Sequence, residues 1–216
     1  MTAELVARGA CAALAGRDPS QLARTAQAYP GVPTVLFDAY DPGSCARAVT
    51  DASAFLGGLD AVVVAFGSVA FGTAGEVGDE VAEHLMAVNH LAPVAFFRAA
   101  LGILKPGSVI AAVTGVVAER PQPGMADYSA SKAALSAWLA AVRREVRGAG
   151  VRVLEIRPGH LETGFAARPV AGTAPPLPSG GDPREVAVAV ADALAAGSTL
   201  LRSDAAGLAV VERRAR

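Results

Sequence analysis

Five short apolar runs, each followed by a stretch of helical character, constrain this chain more than any other feature. Residues 10–15, 34–38, 60–66, 108–113 and 151–156 place apolar side chains on both faces, the pattern of strands covered on both sides. A short helix is expected over residues 2–8, ahead of the first run and stopped by Gly9. Further helices are expected from Asp18 or Ser20 to about 28, then over 42–55, 79–104, 128–147 and 183–196. Their ends are marked by Pro30-Gly31-Val32-Pro33, Gly57-Gly58, Lys105-Pro106-Gly107 and Gly148-Ala149-Gly150. Arg143, Arg144 and Arg147 sit near the negative end of the fourth of these helices. Pro93 predicts a kink within 79–104. Short strands are expected at 199–201 and 208–211. Strand and helix alternating in this order predict an α/β fold built on a doubly wound, Rossmann-like parallel sheet. No linker or internal repeat divides residues 1–216, so one domain is expected.

Composition closes off several functions. The chain has 216 residues, 52% of them hydrophobic, with a net charge of -1 and a pI near 6.3. That is ample core for one α/β domain, with no basic stripe for nucleic acid and no acidic tail. Mean hydropathy is positive, yet the longest uncharged stretch, 61–75, is shorter than a membrane span and carries several glycines. No apolar signal-peptide core opens the chain, so a soluble cytoplasmic protein is expected. Cys11 and Cys45 have neither disulfide-framework nor metal-ligand spacing, and His84, His90 and His160 form no cluster with acids. No metal is expected.

The chemistry is expected beyond the carboxyl ends of the strands, where open α/β sheets bind ligands. The loops at Arg17, Asp38, Gly67, Thr114 and Pro158 lie there. On the helix after the fourth run, Tyr128 and Lys132 stand four residues apart and share one face. An ammonium beside a phenol lowers the phenol's pKa and makes the pair a candidate proton donor or acceptor. The same spacing also describes an ordinary surface pair.

The segment Pro123-Gly124-Met125-Ala126-Asp127-Tyr128-Ser129-Ala130-Ser131-Lys132 resembles the active-site segment of the short-chain dehydrogenase/reductase family. Four other stretches resemble it in the same order: Gly16-Arg17-Asp18, Asp38-Ala39-Tyr40-Asp41, Asn89-His90-Leu91-Ala92-Pro93, and the stretch from Arg157-Pro158-Gly159 to Thr163. The resemblance implies an NAD(P)-dependent oxidoreductase acting on a carbonyl or alcohol. Tyr128 would exchange a proton with the substrate oxygen. Lys132 would lower the Tyr128 pKa and bond the nicotinamide ribose, and Asn89 would hold a water that relays protons to Lys132. Asp38 would accept from the adenine amino group, or cap its own loop. Pro158 and Gly159 would line the cofactor, and Thr163 would hold the carboxamide or cap a helix. Gly67 would let the backbone approach the cofactor. Arg17, with no acid before it, would pair with a 2′-phosphate and favour NADP over NAD. Relatives commonly pair through the helices carrying Asn89 and Tyr128, so a homo-oligomer (dimer or tetramer) is implied.

Three departures from the family pattern stand out. The first strand and its glycine-rich turn have no counterpart, and residues 1–10 look like the back half of the helix that follows them. In this sense the fold is N-terminally truncated. A strand missing from mid-sheet would leave two buried edges unpaired. Loss of the pyrophosphate contacts would weaken dinucleotide binding by roughly 10²–10⁶-fold. The serine expected thirteen residues before Tyr128 is Gly115; Thr114 substitutes only if the loop shifts by one residue. The end of the third run reads Val64-Ala65-Phe66-Gly67, keeping only the glycine of the family's pattern. The alternative to an active enzyme is therefore a catalytically impaired relative that binds a small molecule or partner without turnover. The loop 165–181, rich in Pro, Gly and Ala, is expected to be mobile and to favour a neutral or apolar substrate.

Overall fold

The computed structural model describes residues 1–203 and the backbone of 209–213. Its helices begin where local chemistry supplies a cap. Asp18, Asp41 and Asp182 each accept a backbone N–H from the first turn of α2 (Pro19–Gln27), α3 (Pro42–Leu56) and α7 (Pro183–Ala196). Each of these helices opens on a proline, whose missing N–H costs nothing at that position. Gly57 and Gly197, both at φ 73°, close α3 and α7 in the left-handed conformation that glycine adopts without strain. Helix α1 (Thr2–Ala7) is tied to α7 by Arg8, which pairs with Glu4 and with Asp192, each at 2.6 Å.

The helix expected over 79–104 is three segments. Helix α4 (Asp79–Met86) passes through a π turn (Ala87–Leu91) into α5 (Ala92–Leu101). In a regular α-helix the residue at 93 would donate to the carbonyl of Asn89; Pro93 has no N–H to give. The expected kink is realised as this widened turn. Helix α6 (Ala126–Glu145) carries Tyr128 and Lys132.

The strands are β1 (Leu14–Gly16), β2 (Thr34–Leu36), β3 (Ala61–Val64), β4 (Val109–Val113), β5 (Arg152–Arg157), β6 (Ser198–Ser203) and β7 (Ala209–Arg213). Leu208, the expected start of the last strand, lies outside the described residues. Two sheets form rather than one. β1 pairs only with β2, in parallel; β3, β4, β5 and β6 pair in parallel in that order, and β7 closes the edge antiparallel to β6. β1 and β3 each therefore keep one edge without a strand neighbour among the described residues. These edges are more open than the expectation of buried edges allowed: Ala15, Ala61 and Ala65 are exposed, and Val62 and Val63 are half-buried. β1 is also shorter than the apolar run at 10–15, because residues 10–13 have no ladder to join on either side.

A shared core holds the two sheets side by side. Val35 and Phe37 from the β2 end, Val64 from β3, and Phe96, Phe97, Leu135 and Leu139 from α5 and α6 belong to one buried cluster. The Phe37 ring lies 5.0 Å from Phe66 and meets Phe96 edge-on at 4.9 Å. Phe66 thus packs against this core. Trp138 of α6 stacks on Phe97 of α5, 6.0 Å away with 16° between the planes, so this face of α6 looks toward α5. A second cluster, including Leu154, Ile156, Val190 and Leu201, fills the opposite face under α7.

Candidate active site

Tyr128 lies in the first turn of α6, and Lys132 follows one turn later. The Lys132 ammonium is buried, 4% exposed, and donates to the carbonyl of Val113 at the end of β4, 3.1 Å away. Burial pushes Lys132 down to about 8 and Tyr128 up to about 12. Both are desolvation effects, which disfavour the charged form of each group. The expected lowering of the phenol by Lys132 is therefore not what the geometry gives: burial sets the direction, and the ammonium is bonded to a main-chain carbonyl.

Asn89 sits in the π turn, fully buried, and both ends of its amide are bonded to protein. Its Oδ1 accepts from the Ser68 N–H at 2.8 Å; its Nδ2 donates to the Ser68 carbonyl at 2.9 Å and to Ser131 Oγ at 3.0 Å. Ser131 Oγ in turn donates to the Tyr128 carbonyl at 2.7 Å. Asn89 thereby fastens the loop after β3 to the helix that carries Tyr128. Gly67 completes the cluster: a Cβ there would lie 2.9 Å from Asn89 Oδ1 and 3.1 Å from Lys132 Nζ. An amide, an ammonium and an open backbone position converge on one point, and only glycine leaves that point free.

Thr114 is not in this cluster. Its hydroxyl, 1% exposed, donates to Glu155 Oε1 at 2.8 Å. In this conformation the Thr114 proton is given to a carboxylate rather than presented at the position of the missing serine. Gly115 offers no side chain, and its N–H is bonded to the Ile156 carbonyl at 3.3 Å. Glu155 also accepts two bonds from Arg157, at 2.9 and 3.0 Å, while Arg157 reaches Glu119 at 2.9 Å and Ser136 at 3.0 Å. Burial alone would push the Glu155 carboxyl up; the bonds from Arg157 and Thr114 outweigh it and hold the group below the usual carboxylate range.

The remaining expected residues line the rim formed by the strand ends. Arg17 follows β1 and is exposed. Asp38 accepts the Tyr40 N–H at 2.9 Å, the loop-capping role foreseen as its alternative. Pro158 is buried and accepts the Val116 N–H at 3.0 Å, and the Gly159 N–H donates to Ser203 Oγ at 3.1 Å. Thr163 Oγ1 accepts the Phe165 N–H at 3.3 Å, so it turns its own loop. Close to Arg17, His84 is held between the Tyr40 hydroxyl, on Nδ1, and Ser68 Oγ, 2.9 Å from Nε2. Burial first, and then the Arg17 charge, keep this imidazole below its ordinary pKa.

Sequence reasoning gave no role to Ser68, Ser131, His84, Glu155 or Arg157. Ser131 and Arg157 had a signal, each lying inside a stretch that resembles the family pattern. The loop expected to be mobile is pinned at neck and tip: Leu161 bridges Gly181, Val170 N–H donates to the Val69 carbonyl at 2.9 Å, and Phe71 N–H donates to Ala171 at 3.0 Å. It carries Phe165 to within 6.3 Å of the Tyr128 ring. Tyr128, with Phe165 near its ring, and the buried Lys132 are thus carried one turn apart on the same helix.

The sequence profile of the short-chain dehydrogenases matches residues 1–172. The chain is 29% identical over 154 residues to mouse dehydrogenase/reductase SDR family member 7B, covering 69% of this chain and 47% of that protein. It spans about half the length of the curated relatives it matches. Among solved structures it resembles a short-chain dehydrogenase from Burkholderia cenocepacia in complex with NADP, with TM-score 0.77 and 27% identity over 88% of this chain and 82% of that one. It also resembles an alcohol dehydrogenase from Thermococcus sibiricus complexed with 5-hydroxy-NADP, with TM-score 0.80 and 25% identity over 99% of this chain and 92% of that one. Profile, fold and the order of the motifs agree: the chain belongs to the short-chain dehydrogenase/reductase family.

Proposed function

We propose that the chain is an NADP(H)-linked oxidoreductase of a small, neutral carbonyl or alcohol compound. The observation that carries this reading is the convergence of Gly67, Asn89 and Lys132 one helical turn from Tyr128. The residues fit the nicotinamide half of such a cofactor. Gly67 keeps open a position beside Lys132 that a Cβ would crowd, and Pro158, Gly159 and Thr163 would line the cofactor as the family resemblance implies. At the other end Arg17, with Asp38 close to the same rim, suits a 2′-phosphate better than a free hydroxyl pair. Both solved structures described above are complexes with an NADP-type ligand, which supports the same choice. The bound cofactor would supply the hydride. Tyr128 would hold and transfer the proton at the substrate oxygen, and Lys132 would turn from the Val113 carbonyl to the cofactor ribose. Phe165 and the pinned loop would exclude water above the phenol.

A second reading is a relative that binds without turnover. Its support is specific: Thr114 is committed to Glu155, Gly115 has no hydroxyl, and burial raises the Tyr128 pKa. Titration of the purified chain with NADPH, followed by fluorescence, and carbonyl reduction by wild type and Tyr128→Phe separate the two. Binding with reduction that vanishes in Tyr128→Phe supports the enzyme; binding with no reduction supports the second reading; no binding at millimolar NADPH removes the enzyme reading for this chain.

A further inference from the structure

We propose that His84 is a positioning residue that couples the adenosine rim to the Asn89–Lys132 cluster, by hanging the Tyr40 loop on the same serine that Asn89 clamps. The coupling rests on the dinucleotide reading of the site. Its basis is a chain of contacts that starts beside one sheet and ends beside the other. Phe37 donates its N–H to the Gly16 carbonyl, which sets residues 38–41 next to Arg17 at the strand ends. Asp38 shapes that loop: its carboxylate accepts the Tyr40 N–H, and its own N–H donates to Ser44 Oγ at 3.0 Å. The loop presents Tyr40, 61% exposed, at the rim. From there the Tyr40 hydroxyl bonds His84 Nδ1 on α4, the two rings standing 5.8 Å apart, and His84 Nε2 bonds Ser68 Oγ at 2.9 Å.

Ser68 is the node of this chain. Its side chain answers to the rim through His84, and its main chain answers to the site through two bonds with Asn89. Asn89 continues to Ser131, the residue before Lys132 on α6. Gly67, the residue before Ser68, is where a Cβ would lie 3.1 Å from Lys132 Nζ. A displacement of Ser68 must therefore strain its bonds with Asn89 or carry Asn89 along. The imidazole suits the link. In its neutral form it has one donor and one acceptor, and both of its neighbours are hydroxyls that can take either role. Burial and the Arg17 charge favour that neutral form. Such hydrogen-bond chains polarise along their length and strengthen where water is excluded. A ligand lying over Arg17 and Asp38 would cover the exposed Tyr40 hydroxyl, tighten its bond to His84, and so tighten the hold on Ser68.

The test uses adenosine 2′,5′-bisphosphate, which offers the rim a 2′-phosphate and has no nicotinamide half. Amide exchange of the full chain is followed by NMR with and without it. Two amides are compared: Phe37, bonded to Gly16 at the rim, and Ser68, bonded to Asn89 at the site. In the wild type the bisphosphate should slow both by about tenfold or more. Three variants each cut one link. Tyr40→Phe removes the hydroxyl and keeps the ring, His84→Ala removes the imidazole, and Ser68→Ala keeps the main-chain bonds with Asn89. In each the bisphosphate should still slow Phe37, yet slow Ser68 by less than about twofold. A merely structural role would raise the basal exchange of Ser68 and leave its response to the ligand intact. The coupling is overturned if Ser68 responds in the variants as it does in the wild type. It is equally overturned if the wild type slows Phe37 and not Ser68. A wild type that fails to bind the bisphosphate at millimolar concentration gives a different result: the adenosine-rim reading itself falls, and the coupling with it.

Discussion

At the scale of single residues, the site is a contest between burial and charge. Lys132 is held near 8 against an ordinary value of 10.5, and Tyr128 near 12 against 10.0. Between about pH 8 and pH 10.5 the unfolded chain keeps a proton on this lysine that the folded chain has lost, so stability rises with pH across that window. From about pH 10 to pH 12 the folded phenol keeps a proton that the unfolded one gives up, and stability falls. Lys132→Met should flatten the first slope, worth on the order of a few kcal/mol, and leave the second; urea midpoints measured from pH 7.5 to 11.5 would show it. Tyr128→Phe should lower carbonyl reduction by at least about 10²-fold with little change in NADPH affinity. Gly67→Ala should do the reverse, weakening NADPH binding about tenfold or more. Its methyl would press on Asn89 and Lys132, which isothermal titration would register as a loss of affinity.

At the scale of elements, three segments meet at one buried ion pair. Arg157 joins β5 to Glu119 in the loop after β4 and to Ser136 on α6, while Glu155 takes the Thr114 hydroxyl. Arg157→Ala would leave the Glu155 carboxylate buried without its partner and should cost about 3 kcal/mol, lowering the thermal midpoint by several degrees. Gly172→Ala tests the tip of the pinned loop. At φ 72° its new Cβ would fall 1.7 Å from the Phe71 carbonyl oxygen, so the loop must release, and limited proteolysis within 165–181 should accelerate. These elements also show what the sequence could and could not reveal. Helix α7 falls on its expected bounds because Asp182, Pro183 and Gly197 are local signals. The π turn was only a kink in the sequence, since Pro93 announces a missing donor but not how the chain absorbs it. The bond that Thr114 makes was hidden for a different reason. Its partner Glu155 is 41 residues away, and no local pattern connects them. Lys132 was legible from its spacing with Tyr128, and Asn89 and Gly67 from resemblance, yet the bonds from Asn89 to Ser68 and Ser131 are tertiary and no local pattern predicts them.

At the scale of the whole molecule, the split sheet predicts unequal stability. The β1–β2 pair is held to the rest through α3, α5 and a few aromatic contacts, whereas β4 and β5 are paired on both sides. Amides of β1 and β2 should exchange through a lower-energy opening than those of β4 and β5, by about 2 kcal/mol or more in native-state exchange under increasing urea. Equal opening energies would mean that the α3–α5 layer alone makes the two sheets one cooperative unit. Helix α6 carries one more property of use. Trp138 is the single tryptophan of the chain, and it stacks on Phe97 across the seam between α5 and α6. One of these helices follows directly from the turn that holds Asn89, and the other bears Tyr128 and Lys132. The intrinsic emission of the protein is therefore a built-in optical gauge of that seam. It needs no label, and its colour and lifetime report on the spacing of the two supports beneath the chemistry.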